Sequence, residues 1–394
     1  MIDTVEYISL AEASGYGLSA QCYMRALEER GVEVLWLPLF DSPRGYQDKP
    51  DEGELEYRVK KLQRMQIDCG LFNIAPRTRG YCRNARRDVV LHHTIPELWD
   101  LYLDPRVVNV GYTVWETTAI PDHWNAICQR MERVLVPSAF SKAAFCRTQP
   151  EGRVRVVPHI AREIRSDSYG ARYFRERHGI PTNHYVFYTI SAWSIRKAPW
   201  GTLNAYLQAF TNKDPVTLVI KTDVLGDQHY DSRRRGRTRG FVERIVSNYP
   251  DAPSIRLIDH EIPCDEIDAL HTTGGCYVAL PHAEGWCLGA FEAATAGNPV
   301  VITGWGGQLD YLPPESAFLV DYSLRHVRHN LAPRSYSPDQ HWAWPDVDDA
   351  VDKLRWIFQN QEAARERAAG LQGTIKDKYN ARRVGGLLAD ALSL

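Results

Sequence analysis

The sequence predicts an α/β fold of two Rossmann-like domains facing a cleft. Three observations point there. The chain has 394 residues, more than one hydrophobic core ordinarily organises. Short apolar, β-rich runs alternate with helix-length amphipathic segments, the signature of parallel strands covered by helices on both faces. That alternation breaks near residue 165 and then begins again.

In the first half Val5–Leu10, Val32–Leu37, Cys69–Ile74, Val89–His92, Val107–Val114 and Val134–Pro137 read as strands, and Ser19–Arg30 and Glu54–Met65 as helices. After Val154–Pro158 the second half supplies strands at Tyr185–Ile190, Thr217–Lys221, Ile255–Asp259, Cys276–Leu280 and Pro299–Ile302. Its helices fall at Trp200–Thr211, Phe241–Ser247, Cys264–Thr272, Gly289–Ala296 and Val347–Gln359. The expected division is residues 1–164, residues 165–374 and a C-terminal helix over 375–394 that packs back on the first domain. Ligands of such folds lie in the crevice beyond the strand ends.

Composition narrows the function. Apolar residues make up 44% and charged residues 24%, which fits a folded globular chain and not a disordered one. A net charge of −2 creates no global field for nucleic acid or anionic lipid, so either partner would need a local patch. The eight cysteines form no C-x-x-C pair, which argues against a zinc knuckle or a disulfide framework and fits a reducing cytoplasm. Met1–Leu10 carries Asp3 and Glu6 and does not read as a secretory signal. No apolar run is long enough to cross a bilayer, which leaves only peripheral membrane contact open.

The most informative segment runs from His282 to Val301. A strand, a glycine-containing loop and a helix place loop amides and a helix N-terminus where they can meet an anion. Glu284 lies in the loop and Glu292 inside the helix, eight positions apart. Each carboxylate can accept hydrogen bonds from sugar hydroxyls; the plainer reading is a capping acid and a surface helix residue. Ser191–Trp200 follows the first strand of the second half and carries Arg196 and Lys197. In the first half, Gly15 and Gly17 sit between a strand and a helix, where glycine permits close approach of main chain to ligand. His92, His93 and Glu116 follow strand ends, and Glu116 could bind or deprotonate a hydroxyl.

The flanking residues Ala283–Gly289, Glu292–Ala294, Ala296–Val300 and Gly304–Asp310 resemble the retaining glycosyltransferases of the GT-B fold, specifically family 4, whose signature is glutamate, seven residues, glutamate. That resemblance implies transfer of a hexose from a nucleotide-diphosphate sugar, a UDP- or GDP-sugar, with no other cofactor. It implies that Glu284 contacts the donor sugar and Glu292 the nucleotide ribose, and that Gly285, Trp286 and Cys287 approach sugar and phosphate through their backbone. His282 opens the same donor-binding segment. Arg196 and Lys197 look like the pair that neutralises the departing diphosphate, with Lys221 as an alternative partner, since negative charge grows there as the glycosidic bond breaks. His93 is similar in position to a histidine that faces the sugar, and Gly15 and Gly17 to the loop facing the donor phosphates. The chain has Trp286-Cys287 where family members often carry Phe-Gly. The retaining mechanism implies front-face attack, with the departing phosphate helping to take the acceptor proton.

Two further runs bear on partners. Asp346-Val-Asp348 spells an Asp-x-Asp metal motif, yet the apolar helix after it makes capping the better explanation, so no catalytic metal is expected. Arg233, Arg234, Arg235, Arg237 and Arg239 form a dense basic run, either a solvated loop or a contact for a polyanion, which keeps a modified DNA base beside saccharide, lipid and small-molecule acceptors. Rival functions are a nucleotide-sugar epimerase or hydrolase of the same fold and a non-catalytic nucleotide-sugar binder. A nicotinamide dehydrogenase is disfavoured because no complete G-x-G-x-x-G follows the first strand.

Overall fold

The computed structural model describes residues 3–11, 14–40, 57, 60, 63, 73–74, 88–165, 170–222, 237–328 and 334–393. The chain divides into two compact units, residues 1–161 with 378–394, and residues 162–377. The division falls just ahead of residue 165 because Arg162 and Arg165 are already tied to the second unit through Asp268.

The first unit is built on β1 (Thr4–Leu10), β2 (Glu33–Leu39), β3 (Asn73–Ile74), β4 (Val89–His93), β5 (Val108–Tyr112), β6 (Arg133–Val136) and β7 (Val154–Val156). They pair in the order β3-β2-β1-β4-β5-β6-β7, all parallel. β1 is buried along its whole length, as a strand covered on both faces must be, with Thr4, Glu6 and Ser9 buried among its Val, Tyr, Ile and Leu residues. Helix α1 (Gly15–Glu28) follows β1, and α2 (Trp99–Tyr102), α3 (Trp124–Gln129) and α4 (Ala139–Phe145) complete the first part of this unit.

The second unit holds α5 (Gly170–Arg177), β8 (Tyr185–Ile190), α6 (Pro199–Ala209), β9 (Val216–Lys221), α7 (Arg237–Val246), β10 (Ser254–Ile258), α8 (Cys264–Thr273), β11 (Cys276–Ala279), α9 (Leu288–Thr295), β12 (Val300–Thr303) and β13 (Phe318–Val320). Its sheet has the order β10-β9-β8-β11-β12-β13, again parallel. Each sheet therefore winds outward in both directions from its first strand, the doubly wound order expected from the alternation. Phe187, Leu203, Tyr206, Leu218, Val278 and Leu354 belong to the apolar core of this unit.

A hairpin, β14 (Tyr322–His326) with β15 (His341–Pro345), follows β13 and was not anticipated from the sequence. Helix α10 (Val347–Gln359) is capped by Asp346, whose Oδ1 accepts from the amides of Asp348 and Asp349 at 3.0 and 3.2 Å. The C-terminal helix expected over 375–394 is α12 (Ala381–Leu392), separated from α11 (Gln361–Lys378) because Asn380 turns the chain and caps the second helix through the amide of Arg383. Helix α12 packs against α1 in the first unit, close enough that a Cβ at Gly385 would stand 2.9 Å from the Ala26 Cβ. The expected strand Cys69–Ile74 is described only at Asn73–Ile74, and the expected helix Glu54–Met65 only at Tyr57, Lys60 and Gln63.

Candidate active site

The order β10-β9-β8-β11-β12-β13 makes β8 and β11 neighbours whose following connections lead to opposite sides of the sheet. Ligands of open α/β sheets bind beyond the carboxyl ends at such a switch point. Ser191–Ala198 follows β8 and Leu280–Cys287 follows β11, and the two loops are stitched together. The His282 amide donates to the Arg196 carbonyl at 2.8 Å, and Arg196 Nη1 donates to the Ala283 carbonyl at 2.9 Å.

This stitching brings Arg196 and Lys197 onto Glu284. Lys197 Nζ lies 2.5 Å from Glu284 Oε1 and Arg196 Nη1 lies 3.4 Å from Oε2, with the Glu284 side chain only 5% exposed. The Glu284 carbonyl in turn accepts from the Gly307 amide at 2.8 Å, so the segment Gly304–Asp310 buttresses the same loop. Two non-glycine residues have positive φ among the described residues, Ala198 at 42° and Cys287 at 68°. Each immediately precedes a helix of this site, α6 or α9, and neither helix has a side-chain cap. Left-handed backbone at a bulkier residue than glycine costs energy and persists where the surroundings impose it. Here it lets each loop end abruptly at a helix, with the Leu288 and Gly289 amides at the α9 N-terminus where an anion can meet them. Gly289 in the first turn of α9 allows the approach, since a Cβ there would sit 2.7 Å from Tyr277 Oη and 3.0 Å from the Ile190 carbonyl.

Glu292 lies on α9 and is held by a different set of groups. Arg162 Nε stands 2.5 Å from its Oε1, and His271 Nε2 stands 3.3 Å from its Oε2. Arg162 Nη1 also reaches Asp268 Oδ1 at 2.5 Å. Burial would push the Glu292 carboxyl up, but Arg162 and His271 outweigh it and hold the group down at about 2. Sequence reasoning found neither Arg162, Asp268 nor His271: Arg162 is 130 positions from Glu292, and no local pattern links them.

The remaining donor-side candidates are placed as follows. The His282 ring stacks on Trp342 and Trp344 with centroids 5.0 and 4.5 Å away, and its Nδ1 donates to the Ala343 carbonyl at 2.9 Å. Burial lowers its pKa, so the ring is neutral near pH 7 with the lone pair on Nε2. Trp286 is buried against Phe291 and Tyr311, and the Tyr311 hydroxyl spans the Trp286 and Cys287 carbonyls at 2.8 and 2.9 Å. These carbonyls and the preceding Gly285 form the turn after Glu284, so this loop is fixed by an aromatic wedge. The Cys287 thiol is pushed up to about 12 by burial and stays protonated, which removes it as a nucleophile. Lys221 ends β9 beside the same edge, its Nζ donating to the Thr222 carbonyl at 2.9 Å.

In the first unit the outcome is mixed. Gly15 and Gly17 belong to the first turn of α1 and do not form an extended glycine loop; Ser14 caps the helix through the Gly17 amide at 3.3 Å. His93 is completely buried, with Nδ1 2.7 Å from the Tyr7 hydroxyl and Nε2 3.4 Å from Ser19 Oγ. Its ring packs among Tyr7, Tyr16, Tyr23 and Tyr112, so it joins the interior polar network and has no free nitrogen for a sugar. His92 is buried as well, with Nε2 on Asn109 Oδ1 at 3.0 Å. Glu116 lies beyond the carboxyl end of β5, half-buried near Tyr16, whose phenol is raised first by burial and then by that charge. Arg233, Arg234 and Arg235 lie outside the described residues. Arg237 begins α7, and Arg239 is exposed and paired with Asp259 at 3.2 Å.

The fold is that of the GT-B glycosyltransferases. HepE from Anabaena, crystallised with UDP and glucose, matches at 13% identity over 99% of each chain with a TM-score of 0.66. A glycosyltransferase from Rickettsia africae matches at 12% identity over 99% of this chain and 97% of its own, with a TM-score of 0.69. Sucrose-phosphate synthase from Thermosynechococcus elongatus matches at 14% identity over 98% of each chain, with a TM-score of 0.68. No protein-family model and no curated protein sequence matches the chain.

Proposed function

We propose that this chain is a retaining, metal-independent glycosyltransferase related to family 4, which moves a hexose from a UDP- or GDP-sugar to an acceptor hydroxyl. One observation carries the reading. Glu284 and Glu292 stand on either side of the α9 N-terminus at the switch point, Glu284 held by Lys197 and Arg196 and Glu292 by Arg162 and His271. An ordinary capping acid or surface helix residue would need no such paired burial. The crystallised HepE binds UDP and glucose, which makes UDP-glucose the first donor to test.

In this reading the diphosphate meets the α9 amides and the Arg196–Lys197 pair, and Glu284 accepts hydroxyls of the transferred sugar. Glu284 keeps both cations folded onto the loop, so they need no reorganisation when charge develops on the leaving phosphate. His282 presents Nε2 as an acceptor, suited to a sugar hydroxyl. Glu292 accepts the ribose hydroxyls. No protein nucleophile is required, because the departing phosphate takes up the acceptor proton on the attacked face. Glu116, in the first unit, is the carboxylate this reading assigns to the acceptor hydroxyl.

The test is release of UDP from UDP-glucose, with saccharide, lipid and modified-DNA acceptors, in EDTA. An acceptor-dependent product with retained anomeric configuration supports the reading. Donor turnover without acceptor favours a hydrolase or epimerase instead.

A further inference from the structure

The second carboxylate of the site is anchored more elaborately than a hydroxyl acceptor needs, and the direction of every hydrogen bond around it can be worked out. The Asn298 side-chain nitrogen lies 2.7 Å from the His271 carbonyl and 2.8 Å from the Tyr188 hydroxyl. A carbonyl only accepts, so the amide nitrogen faces it and donates both hydrogens, one to each oxygen. Tyr188, having accepted, directs its own hydrogen to His271 Nδ1 at 2.9 Å. His271 is therefore the tautomer protonated on Nε2, and that hydrogen points to Glu292 Oε2. Arg162 supplies the hydrogen on Oε1. Asp268 fixes Arg162 in turn: its Oδ1 takes Nη1, and its Oδ2 accepts from the Arg165 amide at 3.0 Å.

A carboxylate offers about four acceptor positions. One on each oxygen is taken by protein, and one on each oxygen remains. Two adjacent acceptors on one rigid carboxylate match two hydroxyls on neighbouring carbons.

We propose that Arg162 and His271, with Tyr188 and Asn298 behind the histidine, are positioning residues that hold Glu292 in the one orientation able to bind both hydroxyls of a nucleotide ribose. The proposal rests on the nucleotide-sugar reading above. It makes the donor a ribonucleotide sugar and disfavours deoxyribonucleotide sugars. Arg162, Asp268, His271, Tyr188 and Cys264 are the titratable groups around Glu292, and Arg162 is the cation that most strongly keeps it ionised. None of the four positioning residues touches the nucleotide in this account; they act through the glutamate.

Calorimetric titration with UDP and with 2′-deoxy-UDP separates this from a merely structural ion-pair knot. The full-length chain and its Arg162→Gln, Tyr188→Phe and Glu292→Gln variants are titrated in parallel, with Arg162→Lys as the conservative control. The wild type is expected to bind UDP roughly tenfold more tightly than the deoxy form, the scale of one hydrogen bond to a charged acceptor. Arg162→Gln and Tyr188→Phe should each weaken UDP while bringing the ratio of the two affinities toward one, as in Glu292→Gln, because coupled groups are not additive. Arg162→Lys should recover part of the ratio. A wild-type ratio near one, or variants that keep the full wild-type ratio, would overturn the proposal even if folding and UDP binding are intact. Tyr188→Phe removes a single oxygen and serves if Arg162→Gln does not fold. Failure of the wild type to bind either nucleotide would overturn the nucleotide-sugar reading itself, and the proposal with it.

Discussion

Glu284 and Glu292 are both nearly removed from solvent, and burying an ionised carboxylate is tolerable only with close compensation. The two solve this differently, Glu284 with two adjacent cations from a neighbouring loop and Glu292 with an arginine and a histidine that are themselves anchored. The first arrangement suits groups that must share their charge with a ligand, the second a group that must not move. Arg196→Ala combined with Lys197→Ala should therefore lower kcat by about a thousandfold with a smaller change in donor affinity, measured by steady-state kinetics with UDP-glucose. For Glu292 the linkage has a definite sign. Its folded pKa, about 2, lies below the ordinary 4.5, so its contribution is present above pH 4.5 and is lost as pH falls toward 2. Denaturant unfolding of wild type and Glu292→Gln should show the wild type losing up to about 3 kcal/mol more across that window. Equal losses would mean that Arg162 and His271 do not hold the carboxyl down. The two acids were legible in the sequence because their glycine-rich loop and helix are local. Arg162 and His271 were not, since folding alone brings them to Glu292, and the role of His93 stayed open because a strand-end histidine looks the same whether it faces a cleft or a tyrosine-lined interior.

At the scale of elements, α9 decides the geometry, because its first turn faces the diphosphate in this account and its second carries Glu292. The helix can lie that close to β8 only with glycine at position 289. Gly289→Ala puts a methyl group against backbone as well as the Tyr277 hydroxyl, and backbone gives way poorly. The variant should lose about 1–3 kcal/mol of stability and bind UDP at least tenfold more weakly, seen by thermal unfolding and calorimetry. Unchanged affinity would separate the α9 N-terminus from nucleotide binding. Most strands were readable from short Val- and Ile-rich runs, because parallel strands buried on both faces leave a continuous apolar mark. The β14–β15 hairpin was not, because β14 is exposed along its length and lacks that mark. Its clearest signal was the alternation of Trp342 and Trp344, which the structure uses to stack the His282 ring.

For the whole molecule, two doubly wound sheets joined in one chain were legible from the break in alternation alone, and the return of α12 to the first unit from the helical C-terminal stretch. The helix ends were less so: Asn380 stops one helix and starts another inside a stretch with no proline. In the proposed reading a donor lies in the second unit, and the first-unit candidates carry a weaker sequence signature. The account thus stands on donor binding. The most direct test is calorimetric titration of the full chain with UDP-glucose, GDP-sugars, ADP-sugars and dTDP-sugars, with and without EDTA. The account predicts saturable, EDTA-insensitive binding of a ribonucleotide sugar in the micromolar to millimolar range, weakened at least about tenfold by Glu292→Gln. Absence of binding to every donor, or binding indifferent to both Glu284→Gln and Glu292→Gln, would contradict it.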